Sequence, residues 1–419
     1  MSSVAALCTR RFLSTAGQRR VTSLSQISMH ANLEEKFKKF PIPKENLQFR
    51  LATLAIKAEV LKIEPDIHYG LDYMQDYYDE IIRHDDRYGI VAVDTVNNKI
   101  LTFAYAIVNE GGRNLSFGGG RTVAGVRDFG LMSYATRALL EHLQPRLHSL
   151  AGCCGVYSLP VYNNRKFFEN RQHLLKVVLH NQQLGFECTA DYWENLATRF
   201  AASEPRQGEL VPVSDPVQFL SSEYVCSSTE NRLFKPDQHI LIAKESLVLS
   251  KGNLKIWNNY LHQVMASYSE PGPGPTGEVT GVSIANWTSV PVGGLHLVLN
   301  IYCRTESDAV EHLAGQLRTA VSRLRLSDPQ RHRLYISAFV PSHLLFNETL
   351  SGLRCTRCSG ICRIPTLRNW PAMLVLEPGH LAPMSDAFVA ELIIYYAYGV
   401  KNHNIQKVRF HLSCVGLSS

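Results

Sequence analysis

The sequence predicts an α+β protein: a mixed sheet flanked by helices, followed by a second α+β unit. Three observations carry that expectation. An extended run at Leu47 to Ala55 leads into two helical patterns, three strand-like runs and a glycine-containing loop that opens a further helix. A polar, Pro-containing stretch, Ala202 to Pro216, then interrupts the periodic sequence. Beyond it, strand and helix periodicities alternate again. A chain of 419 residues also exceeds the roughly 100–200 residues of one ordinary domain.

Taken in order, Leu47, Phe49, Leu51 and Thr53 alternate as a strand. Ile56, Val60 and Ile63 then fall at near-helical spacing before Pro65. Asp72 to Arg83 reads as a second helix, with Asp72 a candidate N-cap and Tyr73, Tyr77 and Ile81 on one face. Gly89 to Asp94 joins Ile100 to Val108 across Asn97-Asn98, and that run joins Asn114 to Val123 across Glu110-Gly111-Gly112. Asn and Gly tolerate the positive φ of tight turns, so these runs form an antiparallel meander.

Residues Val123 to Leu143 read as strand end, glycine loop and helix, with Leu131, Ala135, Ala138 and His142 beside Met132, Leu139 and Leu143. First-turn N–H groups of a helix have no internal partner and carry the positive end of its dipole, which suits a diphosphate. Gly130 lets backbone approach a ligand without a Cβ. A strand at Gly155 to Leu159, a helix and Leu184-Gly185-Phe186 follow.

This order resembles the GNAT acetyltransferase superfamily, whose Arg/Gln-x-x-Gly-x-Gly/Ala loop matches Arg127-Asp128-Phe129-Gly130-Leu131-Met132. Within it the chain looks most similar to the histidine N-acetyltransferase-like proteins, whose Tyr-Gly-Gly-Leu-Asp-Tyr-type segment corresponds to Tyr69-Gly70-Leu71-Asp72-Tyr73. The likeness runs diffusely from Leu47 to His380. It departs from the pattern at Met132, which replaces the last Gly/Ala, and at Asp128, a negative charge beside the expected diphosphate.

The resemblance implies an acetyl-CoA-dependent N-acetyltransferase acting on a small amine, with histidine or a related amino acid as acceptor. The alternative is a catalytically inactive GNAT-like domain that binds CoA or a protein partner. It implies CoA contacts from Val123, Ala124, Arg127, Asp128, Phe129, Gly130 and Leu131, with the N–H of Val123 or Ala124 stabilising the oxyanion. Tyr69, Asp72 and Tyr73 would border the acceptor. Tyr162 or Tyr192 would protonate the thiolate, and Glu110 or His180 would act as base. Ala104 and Gly118 occupy the inward positions where such enzymes often carry a strand Glu.

The second unit is expected to contain strands Leu295 to Tyr302, Leu334 to Phe339 and Ala372 to Leu376 and a helix Ala309 to Leu324. A degenerate GNAT-like copy is one reading of it, although no internal repeat is visible. Pro271-Gly272-Pro273-Gly274-Pro275 must be a loop. The expected organisation is 1–33, 34–45 (linker), 46–200 (first unit), 201–216 (linker), 217–380 (second unit) and 381–419 (tail).

Composition excludes some classes. Apolar residues make up 45% and charged residues 19%, a globular balance. The longest apolar stretch of interest, Phe388 to Val400, is interrupted by Glu391 and is too short for a membrane span. The net charge is +6, but Arg10, Arg11, Arg19 and Arg20 precede the first acidic residue, Glu34. Subtracting those four leaves +2, too little for a nucleic-acid-tracking surface. Residues 1–33, rich in Arg, Ser and Thr, have the composition of a mitochondrial transit peptide, which places the mature chain in the matrix; the cytoplasm is the alternative. Ten cysteines at irregular spacing suggest free thiols. Cys355, Cys358 and Cys362 have half of a zinc-site spacing, with His343 or His380 available. Without a second pair they read as loop or core cysteines, and no metal is expected.

Overall fold

The computed structural model describes residues 35, 37–65, 71–127, 129–147, 152–158, 175–189, 210–227, 232–236, 238–243, 245–269, 277–290, 294–327, 333–341, 344 and 370–378. Strand β1 (Leu47–Leu51) is followed by helices α1 (Lys57–Lys62) and α2 (Met74–Arg83). The meander β2 (Arg87–Asp94), β3 (Lys99–Asn109) and β4 (Asn114–Thr122) leads through a loop into α3 (Leu131–Leu143), β5 (Gly152–Ser158) and β6 (Leu175–Thr189). β1 ends four residues before the extended run read from sequence, because Leu54–Ile56 tighten into a 3-10 turn ahead of α1.

Turn chemistry sets the meander. Asp94 accepts from the Val96 N–H (3.0 Å) and from Asn97 Nδ2 (2.7 Å), closing a turn in which Asn98 takes a φ of 49°. Carboxylate acceptors of this kind mimic a backbone turn, so Asn97-Asn98 functions as its spacing suggests.

The second half opens with β7 (Val211–Pro212) and α4 (Pro216–Leu220), whose N-cap Asp215 accepts from the Gln218 N–H. A hairpin of β8 (His239–Ile242) and β9 (Glu245–Val248) follows, then α5 (Lys251–Ile256), β10 (Gln263–Tyr268), β11 (Val279–Ser289) and β12 (Leu295–Cys303). The long helix α6 (Glu306–Ser327), β13 (Arg333–Pro341) and β14 (Trp370–Pro378) complete it. The sequence reading had no strand at 263–268 or 279–289 and no 239–248 hairpin. In β11, Gly281, Ser283, Asn286 and Thr288 are all buried polar or small residues, so the strand carries no apolar alternation.

Twelve strands form one sheet in the order β1-β2-β3-β4-β5-β14-β6-β13-β12-β11-β10-β7. The order is nearly palindromic. β2-β3-β4, then α3, then β5 parallel to β4 is matched by β10-β11-β12, then α6, then β13 parallel to β12. The second half is therefore a degenerate copy in topology, without a visible sequence repeat. The last strands are exchanged: β14 lies antiparallel to β5, and β6 lies antiparallel to β13.

Each half buries an apolar layer under its long helix. Ala309, Leu313, Leu317, Val321 and Leu324 of α6 pack on Leu297, Leu299 and Ile301 of β12. On α3, Leu131 joins Phe37, Phe40 and Leu101. A third cluster belongs to both halves: Tyr73, Met74, Tyr77 and Tyr78 of α2 and Phe103 and Tyr105 of β3 pack with Leu247, Trp257, Tyr260, Ile284 and Tyr302. Burying each such side chain contributes about 1.5–3 kcal/mol, so this shared core ties the halves together.

Candidate functional site

The site begins where two parallel strands separate. β4 pairs with β5 only from Asn114↔Gly152 to Phe117↔Gly155, yet β4 continues to Thr122 and β5 to Ser158. From Gly118 onward the two strands are no longer paired, and the place where they part is the candidate slot. On its other edge β4 stays paired with β3, but the register shifts between Phe103 and Tyr105, leaving a bulge at Gly119-Gly120. Gly119 takes a φ of 63°, and a Cβ there would approach the Tyr105 ring to 2.6 Å. Only glycine fits both demands. Side chains take the carbonyls of this segment: Arg121 Nε donates to Gly119, Thr102 Oγ1 to Arg121 and Arg127 Nε to Thr122.

Directly over Gly118 lies a carboxylate from the other half of the chain. Glu245, first residue of β9, occupies the space a Gly118 Cβ would need, together with the Tyr105 hydroxyl. Tyr105 donates to Glu245 Oε1, and Tyr73 donates to the same oxygen at 3.2 Å; the two phenol oxygens are 3.2 Å apart. Burial pushes the Glu245 carboxyl up to about 7, against the opposing pull of the two hydroxyl donors and the more distant charge of Arg87. A group balanced there accepts and releases protons near neutrality. Arg87 is itself buried, its guanidinium 4.6 Å from the Tyr260 ring and 5.0 Å from the Trp257 ring, and it donates to Tyr260 Oη and the Ile256 carbonyl.

Sequence reasoning missed Glu245 because nothing local marks it. It sits in a short apolar hairpin, more than 120 residues along the chain from Gly118. The available signal was a glutamate interrupting the apolar run Ile240 to Leu249. On the first half's own strands, Gly118 faces Tyr105, and a proton acceptor reaches this spot from β9.

The loop into α3 ends on Gly130, where the sequence places the helix start. Gly130 precedes the helix with a φ of 81°, no side chain caps it, and the first turn holds no acidic residue. The helix start therefore carries no competing anion of its own, and its Ser133 N–H turns back to the Gly130 carbonyl at 3.0 Å. Leu131 is buried in the α3 core, and Phe129 packs edge-on against Phe40 at 5.8 Å. Val123 gives its N–H to the Leu101 carbonyl at 2.9 Å, so it cannot serve as an oxyanion donor, whereas Ala124 opens a 3-10 turn. Arg127 does not project freely: it pairs with Glu64 at 2.8 Å, fastening the loop to the end of α1.

Of the remaining predicted residues, Tyr73 reaches the slot through Glu245. Asp72 accepts from the Met74 N–H at 3.0 Å, at the start of α2, and holds Arg121 in a bidentate pair (2.9 and 3.1 Å). It anchors the β4 bulge from the α2 side. Glu110 lies at the opposite end of β4, in the β3–β4 turn, where it accepts from Asn114 Nδ2 and its N–H donates to Asn253 Oδ1; the structure does not bring it to the slot. Ala104 pairs with Ile90 on β2. His180 belongs to β6, paired with Leu374. Tyr69, Asp128, Tyr162, Tyr192, His343, Cys355, Cys358, Cys362 and His380 lie outside the described residues, as do 1–34 and 381–419.

In the second half the corresponding parallel strands stay paired further along. β12 stays paired with β13 over six positions and with β11 without a register shift. The first turn of α6 holds Glu306 and Asp308, and the Asp308 N–H is taken by Thr305 Oγ1. Acidic side chains at a helix N-terminus repel a phosphate. No described helix is long and apolar enough to cross a membrane, and no group of metal-ligating side chains occurs among the described residues.

Among the described residues, fold and site together define a two-unit α+β chain with parting parallel strands in its first half, a helix start free of acidic residues after them and a buried carboxylate supplied from the second half. No protein-family model matches the chain, and no curated protein matches it. Among solved structures it is similar to a tandem GNAT protein from the clavulanic acid biosynthesis pathway, at 10% identity over 81% of this chain and 100% of that one, TM-score 0.48. It is also similar to a GCN5-related N-acetyltransferase from Sphaerobacter thermophilus (12% identity, 82% and 100% covered, TM-score 0.42). A putative acetyltransferase from Pyrococcus horikoshii shows 10% identity, 83% and 94% covered and a TM-score of 0.41.

Proposed function

We propose that the chain is an acetyl-CoA-dependent N-acetyltransferase of the GNAT type, acting on a small amine in the slot of its first half. The observation that carries this reading is the Glu245 carboxylate over Gly118, at the point where β4 leaves β5. Parting parallel strands suit the extended pantetheine arm. Gly118, Gly119 and Gly120 put no side chain into the slot, and the α3 N-terminus after it suits the diphosphate. These features fit the co-substrate in the first half, whereas the paired strands and acidic helix start of the second half do not.

In the reaction the acceptor ammonium loses a proton to Glu245, and the neutral nitrogen attacks the thioester carbonyl carbon. The C–N bond forms, the C–S bond breaks, and the thiolate leaves and takes up a proton. Tyr162 and Tyr192 remain the proposed acids. Tyr105 and Tyr73 hold the carboxylate in place. An aqueous carboxylate, with a pKa near 4.3, would be a poor base for an ammonium; lifting it to about 7 narrows that gap. Histidine or a related amino acid is the proposed acceptor, on the Leu71-Asp72-Tyr73 segment, and the mitochondrial matrix the proposed location, on residues 1–33.

The test is thiol release from acetyl-CoA by the purified chain across a panel of amines, with calorimetric titration alongside. The expected result is amine-dependent turnover and one acetyl-CoA bound per chain. Binding without turnover for any amine would favour the inactive reading, and absence of binding would overturn both. For location, N-terminal sequencing of the protein from its own cells should find a start between Arg11 and Leu33; an intact Met1 in the cytosol would contradict it.

A further inference from the structure

Four aromatic rings form a chain across the junction between the co-substrate loop and α3. Phe129 stands just before Gly130, and its ring meets Phe40 edge-on at 5.8 Å. Phe40 stacks on Phe37 at 5.3 Å, with the ring planes 13° apart. Phe37 in turn lies 4.0 Å, ring centre to ring centre, from Tyr134 in the first turn of α3. The two outer rings therefore flank Gly130 along the chain. The two inner rings come from a separate segment, ahead of β1.

That segment is part of the core. Phe37 and Phe40 are buried in one apolar cluster with Val126 and Leu131 of the junction and Ala92 and Leu101 of the sheet. The Phe40 N–H donates to the Phe37 carbonyl at 3.1 Å, and the Lys44 ammonium stands 5.1 Å from the Phe37 ring centre. Ile42, Leu47 and Phe49 continue the cluster into β1.

The junction needs such a hold. Gly130, with a φ of 81°, sits in a conformation that glycine enters and leaves at little cost. Backbone bonding there is local: the Val126 N–H donates to the Val123 carbonyl, and the Ser133 and Tyr134 N–H groups donate to the Gly130 carbonyl. Bonds of that range shape the turn without fixing its angle to the sheet. The Arg127–Glu64 pair fastens the loop to α1. The rings fasten it on both sides of Gly130.

We propose that Phe37 and Phe40 are positioning residues for the acyl donor, holding Phe129, Gly130 and the first turn of α3 in the arrangement that receives the CoA diphosphate. The proposal rests on the acetyltransferase reading for the ligand and on the four rings for the place. A loop held in its binding arrangement loses less freedom when the ligand arrives, so affinity rises without a new contact. Phe37 and Phe40 belong to a different apolar cluster from Tyr73 and Tyr105, which hold Glu245, so the effect falls on donor binding and not on proton removal. The start proposed between Arg11 and Leu33 leaves both rings in the mature chain.

The experiment uses the full chain with Phe37→Ala, Phe40→Ala and the milder Phe37→Leu and Phe40→Leu. A junction correctly arranged only a tenth of the time binds its ligand about tenfold more weakly. The alanine variants should therefore raise the acetyl-CoA Kd and KM by about that factor, while kcat at saturating acetyl-CoA and the acceptor KM stay within about twofold. The leucine variants keep apolar bulk without the ring. They should lose affinity in the same direction, by about threefold, and they carry the test if the alanine variants fail to fold. A second readout needs no ligand: amide hydrogen exchange across 123–134 should be faster in the variants, with that of β12 unchanged. A wild type that binds no acetyl-CoA overturns the acetyltransferase reading, and the exchange rates then decide alone whether the rings hold the junction. Variants that bind acetyl-CoA as wild type does, or that lose kcat at unchanged donor affinity, overturn the positioning role.

Discussion

Glu245 of the second half rests on Gly118 of the first, and each position presupposes the other. A methyl group at 118 would collide with the carboxylate and with the Tyr105 hydroxyl that steadies it. Gly118→Ala is therefore expected to displace the base. Turnover should fall by about 10²-fold or more, because a misplaced general base loses most of its effect. Gly119→Ala acts differently: its φ of 63° and the nearby Tyr105 ring predict a loss of about 1–3 kcal/mol of stability, read by denaturant unfolding.

Stability should carry a pH signature of the same carboxylate. Its folded pKa, about 7, lies above the ordinary carboxylate value. Below roughly pH 4 the group is protonated in both states and contributes nothing. Between there and pH 7 the unfolded chain releases its proton while the folded chain keeps it, so folding stability falls as pH rises. Above pH 7 the penalty levels off, at on the order of 3 kcal/mol. Glu245→Gln should remove this slope, and its stability advantage over wild type should be larger at pH 8 than at pH 5. A parallel pH dependence of both proteins would show that the carboxylate is not desolvated.

The Asp72–Arg121 pair gives a prediction that separates anchoring from acceptor binding. Both side chains are buried and joined by two hydrogen bonds. Asp72→Asn should cost about 3–5 kcal/mol, because it leaves the Arg121 charge uncompensated. A variant of unchanged Tm with a raised acceptor KM would instead assign Asp72 to the substrate.

At the α3 loop, Gly130→Asp should abolish acetyl-CoA binding and also lower stability by about 1–2 kcal/mol, since its φ of 81° disfavours any side chain. Arg127→Ala should weaken binding by about 1–3 kcal/mol through release of the loop from Glu64, the partner the structure shows. Glu64→Gln should then reproduce part of that loss. Wild-type affinity in all three would leave the loop a mere corner.

How much of this was legible from the sequence follows from the range of each interaction. The meander, α3 and the strand–helix–strand of the second half show their periodicity within a dozen residues, and Asn97-Asn98 and Gly130 announce their backbone geometry by residue type. β11 escaped because a strand buried on both faces with Asn286, Ser283 and Gly281 has no apolar rhythm. Glu245 escaped because its meaning lies in what it touches: Gly118, Tyr105 and Tyr73 come from two other elements. The exchange of β6 and β14 joins residues some 200 apart in sequence, and no local pattern encodes such a pairing.

The most direct test of the account is the pH dependence of kcat/KM for wild type and Glu245→Gln, with acetyl-CoA affinity measured on both. The account predicts a wild-type rate that rises with pH and levels off above a midpoint near 7, where Glu245 gives up its proton. In Glu245→Gln the rate should fall by about 10²- to 10⁴-fold, with that midpoint gone and acetyl-CoA still bound at wild-type strength. A Glu245→Gln variant that turns over like wild type, with the same pH midpoint, would contradict it.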